Sequence, residues 1–272
     1  MFLAHKQSIA DGHYIPLPQF NNEKILANLN GEYKLISNIC PHQGSLISIK
    51  PGNGNRVCPY HNWSFSLAGD PVTSGRTEHY CKNTTPLVTK PVYEWNHLLF
   101  TKPVDFKLNI DLENLELVEQ RIDLVKANAE TIMDLFLDVD HIPAIHNGVY
   151  DQIGITDTSV EWEYYNIGSI QTVKQGAKWI SIYPDTMIEW QQGTMFITVA
   201  VPKDYNNSLV HVFKYQNSNM SKEEWTLNEK VWETAWLQDM AQSKLIVGVN
   251  THNLEQPKQH FKDWKKNGSI VQ

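Results

Sequence analysis

Two short pairs of residues have the types and spacing to hold a metal: Cys40-Pro-His42 and Cys58-Pro-Tyr-His61. Each pair sits in a Cys-Pro turn, and a Gly-rich stretch from Pro51 to Asn55 turns the chain back between them. Two thiolates and two imidazoles suit a structural zinc ion as well as an iron–sulfur cluster, so the donor set alone leaves the metal open. A second group lies further on. Asp138-x2-His141-x4-His146 brings two imidazoles together near Pro143.

Elements must deliver these residues. Lys24–Leu29 and Glu32–Ile39 read as strands joined by Asn30-Gly31, a strong two-residue hairpin signal, and this hairpin carries the chain to Cys40. Trp63 to Leu67 alternates like a half-buried strand, and Val92 to Phe100 reads as a closing strand. Ile132, Leu135, Phe136 and Val139 make one face of a helix over 128–141. Glu130, Asp134, Asp138 and His141 occupy the opposite face, and Pro143 is expected to stop the helix. Leu115 to Lys126, Val160 to Tyr164, Trp179 to Trp190 and Met195 to Val201 read as strands. Ser221 to Val247 reads as a long helix with Trp232, Trp236, Met240 and Ser243 in one stripe. Asp239 lies on or beside that stripe, where a carboxylate is costly to bury unless it meets a cation. The segment after it, with His252 and His260, reads as a peripheral helix or tail whose histidines are on the surface.

The Cys40–His61 stretch resembles the Rieske ferredoxin pattern, and Asp138-x2-His141-x4-His146 resembles the mononuclear iron motif of Rieske non-haem iron oxygenases. The likeness reaches Asn128, ten residues before the Asp. It also has departures: Gln43 where Arg is common, Asn62 where Gly is usual, Ala129-Glu130 for a Trp-Lys pair, and Asp134 for a frequent Asn. Asn tolerates positive φ, so the turn at Asn62 can form.

The resemblance implies an α+β chain in two domains. Residues 1–104 would be a Rieske [2Fe–2S] β-domain, and 105–272 a helix-grip catalytic domain with an antiparallel sheet around the long helix. Cys40 and Cys58 would hold one iron of the cluster, and His42 and His61 the other. Neutral imidazoles in place of thiolates raise such a cluster from about −400 mV to roughly −150 to +300 mV. His141, His146 and Asp239 would bind one Fe(II). Asp138 would orient His141 and reach His61 of the adjacent subunit in a head-to-tail homotrimer. The implied reaction is hydroxylation, dihydroxylation or oxidative dealkylation of a small organic substrate by O2. Electrons would come from NAD(P)H through a separate flavin reductase, with or without a ferredoxin, since no G-x-G-x-x-G opens a helix here. The alternative is a Rieske electron carrier fused to a ligand-binding helix-grip domain without catalytic iron.

Composition narrows the partners. The formal net charge is −7 and the main basic run is a short one at 262–266, which argues against nucleic acid. The longest apolar stretch, Met195 to Val201, is too short to span a bilayer, and the N-terminus lacks the apolar core of a signal peptide. Cys81, left over from the two cluster pairs, reads as a buried small residue in a reducing, cytoplasmic setting. Aromatic, heteroaromatic and alkylamine substrates all fit, with Trp162, Trp190 and Tyr150 as candidate cavity residues.

Overall fold

The computed structural model describes residues 1–73, 85–108, 110, 112–191, 193–246 and 256–267. The expectations for Cys81 and His252 lie outside them. The chain divides into two compact units, Phe2–Val104 and Asp105–Gln272, with Met1 belonging to the second.

The first unit is built on a five-stranded sheet. Strand β1 (Phe2–His5) belongs to a separate small sheet; β2 (His13–Pro16), β3 (Lys24–Leu29), β4 (Glu32–Ser37) and β5 (Gly52–Asn53) belong to the main one. Strands β6 (Arg56–Val57), β7 (Ser64–Phe65) and β8 (Pro71–Thr73) form a three-stranded sheet. Strand β9 (Thr89–Pro91) completes the main sheet in the order β5-β2-β3-β4-β9. The β3–β4 turn has Asn30 at φ 55° and Gly31 at φ 85°, the left-handed pair that a two-residue hairpin requires. Both faces of this hairpin are covered. Ile25, Ala27 and Ile36 pack with Cys40, Cys58, Trp63 and Phe65, while Leu26 and Leu35 pack with Leu3 and Leu99. The core beneath the cysteine loops is therefore also the core of the sheet.

Two expectations change here. Trp63 to Leu67 yields a strand only at Ser64–Phe65. The single closing strand is a hairpin, β10 (Tyr93–Trp95) and β11 (Leu98–Phe100), because Asn96 and His97 both take positive φ and reverse the chain.

The second unit is a seven-stranded antiparallel sheet that grips a long helix. Its strands are β12 (Leu115–Val125), β13 (Val160–Tyr165), β14 (Gly168–Val173), β15 (Lys178–Ile182), β16 (Thr186–Gln191), β17 (Thr194–Pro202) and β18 (Ser208–Asn217). Their order is β12-β18-β17-β16-β15-β14-β13. The Trp179–Trp190 run is two paired strands, since Tyr183-Pro184-Asp185 turns the chain between β15 and β16. Before β13 come helices α1 (Ala129–Phe136) and α2 (Ile142–Ile145). Asn128 caps α1 by accepting from Thr131 N at 2.8 Å, an N-cap that satisfies one of the helix's orphan donors.

Helix α1 ends at Phe136, before Asp138, so it does not carry His141. Pro143 lies in the first turn of α2, where a missing N–H costs nothing, and starts a helix rather than stopping one. Helix α3 (Lys222–Ser243) begins at a capping box between Ser221 and Glu224. Its stripe of Trp225, Trp232, Trp236 and Met240 packs with Phe196, Val210 and Val212 of the sheet and with Ile132 and Met133 of α1.

Helix α4 (Gln256–Asn267) is not peripheral. Phe261 and Trp264 are buried in the same core, and the His260 ring lies tilted against Tyr164 and Tyr183, meeting the Tyr183 hydroxyl at 3.1 Å. The polar face of α1 is consequently not a solvated one. Asp134 is buried, and Lys258 and Lys265 of α4 pair with Asp138 and Glu130.

Candidate metal centres

The two cysteine loops of the first unit repeat one backbone design. The Cys40 N–H donates to Ser45 O at 2.8 Å, and the Cys58 N–H to Trp63 O at 2.7 Å. Gly44 N–H donates to Cys40 O at 2.9 Å and Asn62 N–H to Cys58 O at 3.0 Å. The residue four after each cysteine thus closes the turn, and both are left-handed, Gly44 at φ 74° and Asn62 at φ 60°. Asparagine keeps the turn where glycine is the easier residue.

The loops bring the candidate ligands together in two pairs, thiol with thiol and ring with ring. Cys40 and Cys58 are buried, unbridged, and their thiols lie within hydrogen-bonding reach of each other. Burial pushes the Cys40 thiol up, opposed by the backbone N–H groups of His42 and Gln43. The rings of His42 and His61 meet edge-on with centroids 4.5 Å apart, and His42 stacks on Trp63 at 4.6 Å. His42 Nδ1 is buried without a hydrogen-bond partner. Two buried thiols and an orphaned buried ring nitrogen in one doubled loop fit a mixed Cys/His cluster.

In the second unit His141, His146 and Asp239 converge. His141 Nε2 and His146 Nε2 are 3.1 Å apart, and Asp239 Oδ1 lies 3.3 Å from the first and 3.0 Å from the second. Two imidazoles and one carboxylate within reach of a single ion are the donor set of a two-His, one-carboxylate iron site. His146 is held from behind, because its Nδ1–H donates to Gln238 Oε1 at 2.8 Å and so leaves the Nε2 lone pair toward the triangle. Burial pushes the His146 imidazole down, but Asp239 and Gln238 outweigh it and leave it raised. Burial likewise pushes Asp239 up, and hydrogen bonds from His141 and His146 bring it below the ordinary carboxylate value. An ionised carboxylate between two imidazoles is a site prepared for a cation.

Asp138 does not meet His141. Its Oδ2 accepts from Lys258 Nζ at 2.7 Å, while His141 Nδ1 is buried without a partner. Both residues nevertheless line one cleft with Phe136, Tyr150, Trp179 and Trp236. The cleft has ≈ 400 Å³ of empty space, counting what is open to solvent. Tyr150 lines it as expected; Trp162 packs against the core instead, and Trp179 and Trp236 supply the indoles. Sequence reading missed Gln238 and Glu189. Gln238 adjoins Asp239, and Glu189 is a lone charge inside the apolar run of β16, which is the only signal either gives.

A second set of carboxylates, Glu119, Glu229 and Glu233, also lies close enough to hold an ion. Lys214 Nζ already fills it, at 2.8, 2.8 and 2.5 Å, with Arg121 bonded to Glu119 and Glu233. That cluster is an ion-pair network.

A doubled Cys/His loop on a small β-unit is followed by a sheet gripping a helix with a His-His-Asp triangle that could hold a metal ion. A family model described as Rieske [2Fe-2S] domain matches residues 1–85. Putrescine 2-hydroxylase of Ralstonia nicotianae is 23% identical over 241 residues, covering 70% of this chain and 65% of that protein. The carnitine monooxygenase oxygenase subunit of Acinetobacter baumannii is 22% identical over 249 residues, covering 77% and 65%. The chain thus spans 65% of the length of these relatives. Among solved structures, the quaternary ammonium Rieske monooxygenase CntA with L-carnitine superposes with TM-score 0.70 at 18% identity, covering 90% of this chain and 76% of that one. Naphthalene 1,2-dioxygenase from Rhodococcus sp. with indole gives the same coverage and TM-score at 15% identity. The first unit thus carries a Rieske [2Fe-2S] domain, and over most of its length the chain is similar to Rieske non-haem iron oxygenases.

Proposed function

We propose that this chain is a Rieske oxygenase catalytic subunit that hydroxylates, dihydroxylates or oxidatively dealkylates a small organic molecule. The observation that carries the reading is the 3.0–3.3 Å triangle of His141, His146 and Asp239 in a cleft, on the same chain as the doubled cysteine loops. Fe(II) at the triangle would supply reductive activation of O2, and a [2Fe–2S] cluster on Cys40, His42, Cys58 and His61 would supply electrons.

The chain's own residues have separable tasks. Gln238 holds the His146 tautomer that turns Nε2 toward the ion, and Asp239 offsets the ion's charge. The backbone N–H groups of His42 and Gln43 face the Cys40 sulfur and favour its thiolate. Asp138 is assigned as a positioning carboxylate for His141, which it would reach by turning away from Lys258. In a head-to-tail homotrimer it would also face His61 of the adjacent subunit. Inter-subunit electron transfer is named for CntA, and a cyclic heterologous interface is the symmetry that permits it. A flavin reductase fed by NAD(P)H, with or without a ferredoxin, is the proposed donor, and the cytoplasm the proposed compartment. Among the described residues no helix is long and apolar enough to cross a membrane.

Metal analysis of anaerobically purified protein tests the reading. About three irons per chain and a Rieske-type spectrum support it. About two irons would favour the carrier without catalytic iron, and stoichiometric zinc in a colourless protein would refute both.

A further inference from the structure

Glu189 sits on β16, the central strand of the seven, and lines the same cleft as His141, His146 and Asp239. Cross-strand register sets it between Trp179 on β15 and Phe196 on β17. One carboxylate oxygen, Oε1, accepts from Trp232 Nε1 at 2.8 Å. That bond fixes the side chain against α3. No Lys or Arg pairs with Glu189 among the described residues; Lys214 and Arg121 are engaged by Glu119, Glu229 and Glu233.

A carboxyl that lines an aromatic-walled cleft, with one oxygen tied to Trp232 and no Lys or Arg on it, is placed to accept from a charged donor on a ligand. The walls suit such a visitor. Trp179, Trp236, Tyr150 and Phe136 line the same space, and aromatic faces attract alkylammonium groups.

We infer that Glu189 is a specificity-determining residue that binds the ammonium group of an alkylamine substrate, with the aromatic walls enclosing its cation. The inference rests on the proposed oxygenase reading for the cleft being a substrate site. The amine's charge lies against Glu189, and a carbon further along the chain lies toward the His141–His146–Asp239 triangle.

Calorimetric titration of the iron-loaded chain tests this, with n-butylammonium and its neutral counterpart 1-pentanol as ligands. The wild type is expected to bind n-butylammonium at least about 10-fold more tightly than 1-pentanol. Glu189→Gln keeps an oxygen for Trp232 and loses the charge. It is expected to weaken n-butylammonium about 10- to 100-fold, the worth of a charge-assisted hydrogen bond, and to leave 1-pentanol unchanged. Equal affinities for the two ligands in the wild type, no binding of the cation in the millimolar range, or an unchanged cation affinity in the variant would overturn the inference. If the variant does not fold, the wild-type preference decides by itself. Iron content of the same samples separates the failures. Protein with two irons that prefers the cation sinks the oxygenase reading alone, and protein with three irons and no cation preference sinks this inference alone.

Discussion

Replacing Gln238 by leucine removes the acceptor of the His146 Nδ1–H bond while keeping similar bulk, so water does not readily take its place. His146 is 3% exposed, and its Nδ1–H···Oε1 distance is 2.8 Å. Without that acceptor the metal-free imidazole prefers the other tautomer, in which the Nε2–H donates to Asp239 Oδ1, 3.0 Å away. Metal binding must then either move the proton back to Nδ1 or leave a buried N–H facing leucine. An unsatisfied buried donor costs about 1–3 kcal/mol, which corresponds to a loss of roughly 5- to 150-fold in metal affinity. This agrees with the 10- to 100-fold typical of residues that orient metal-bound histidines. Anaerobic calorimetry with Fe(II) or Co(II) measures it directly. Gln238→Glu retains an acceptor and is expected to bind at least as tightly as the wild type, while the cluster spectrum of both variants stays unchanged. Wild-type metal affinity in Gln238→Leu would refute the argument that this bond sets the tautomer.

His141→Ala and Asp239→Ala are each expected to lose the third iron and all product while keeping the cluster spectrum; full turnover in the Asp239 variant would show that another carboxylate completes the site. Asp138→Asn is expected to keep most of its iron and to slow cluster oxidation severely in single-turnover experiments, and a wild-type rate would remove Asp138 from the electron path. Asp134 tests the fold by pH. It is 7% exposed, both its oxygens lack hydrogen-bond partners, and burial raises its carboxyl from 3.8 to about 6. A folded pKa raised above the unfolded one means that the folded state holds the proton more tightly. Stability from this group is therefore greatest below pH 4 and falls as pH rises through 6. The penalty above pH 6 is on the order of 3 kcal/mol, from about two pKa units. Asp134→Asn is thus expected to raise Tm by several degrees at pH 8 and by little at pH 4; an equal or lower Tm at pH 8 would contradict it.

Much of both centres was legible because their residues act over short sequence distances. The cysteine loops need only a Cys-Pro turn, a nearby histidine and a residue that accepts positive φ. All three are local properties, and Asn62 at φ 60° satisfies the last as well as Gly44 does. The Asn30-Gly31 hairpin, the Ser221 capping box and the indole stripe of α3 are local or periodic in the same way. Reading went wrong where one apolar run hides a reversal, as at Tyr183–Asp185 and Asn96-His97, because alternation continues on both sides of a tight turn.

Tertiary structure decided the rest. The spacing of Asp138, His141 and His146 says nothing about which partner each side chain finds. Packing of α4 over α1 gives Asp138 to Lys258 and buries Asp134, and the charges of α4 alone would suggest a solvated tail. Gln238 and Asp239 are consecutive on α3, yet both meet His146, because α3 crosses the sheet close to the loop that carries it. Glu189 faces the cleft through the register of β15, β16 and β17, which sets it beside Trp179 and Phe196. Helix crossing and strand register are global outcomes of packing the whole core. A sequence records which side chains are available to a site, and only the packed chain settles which of them share it.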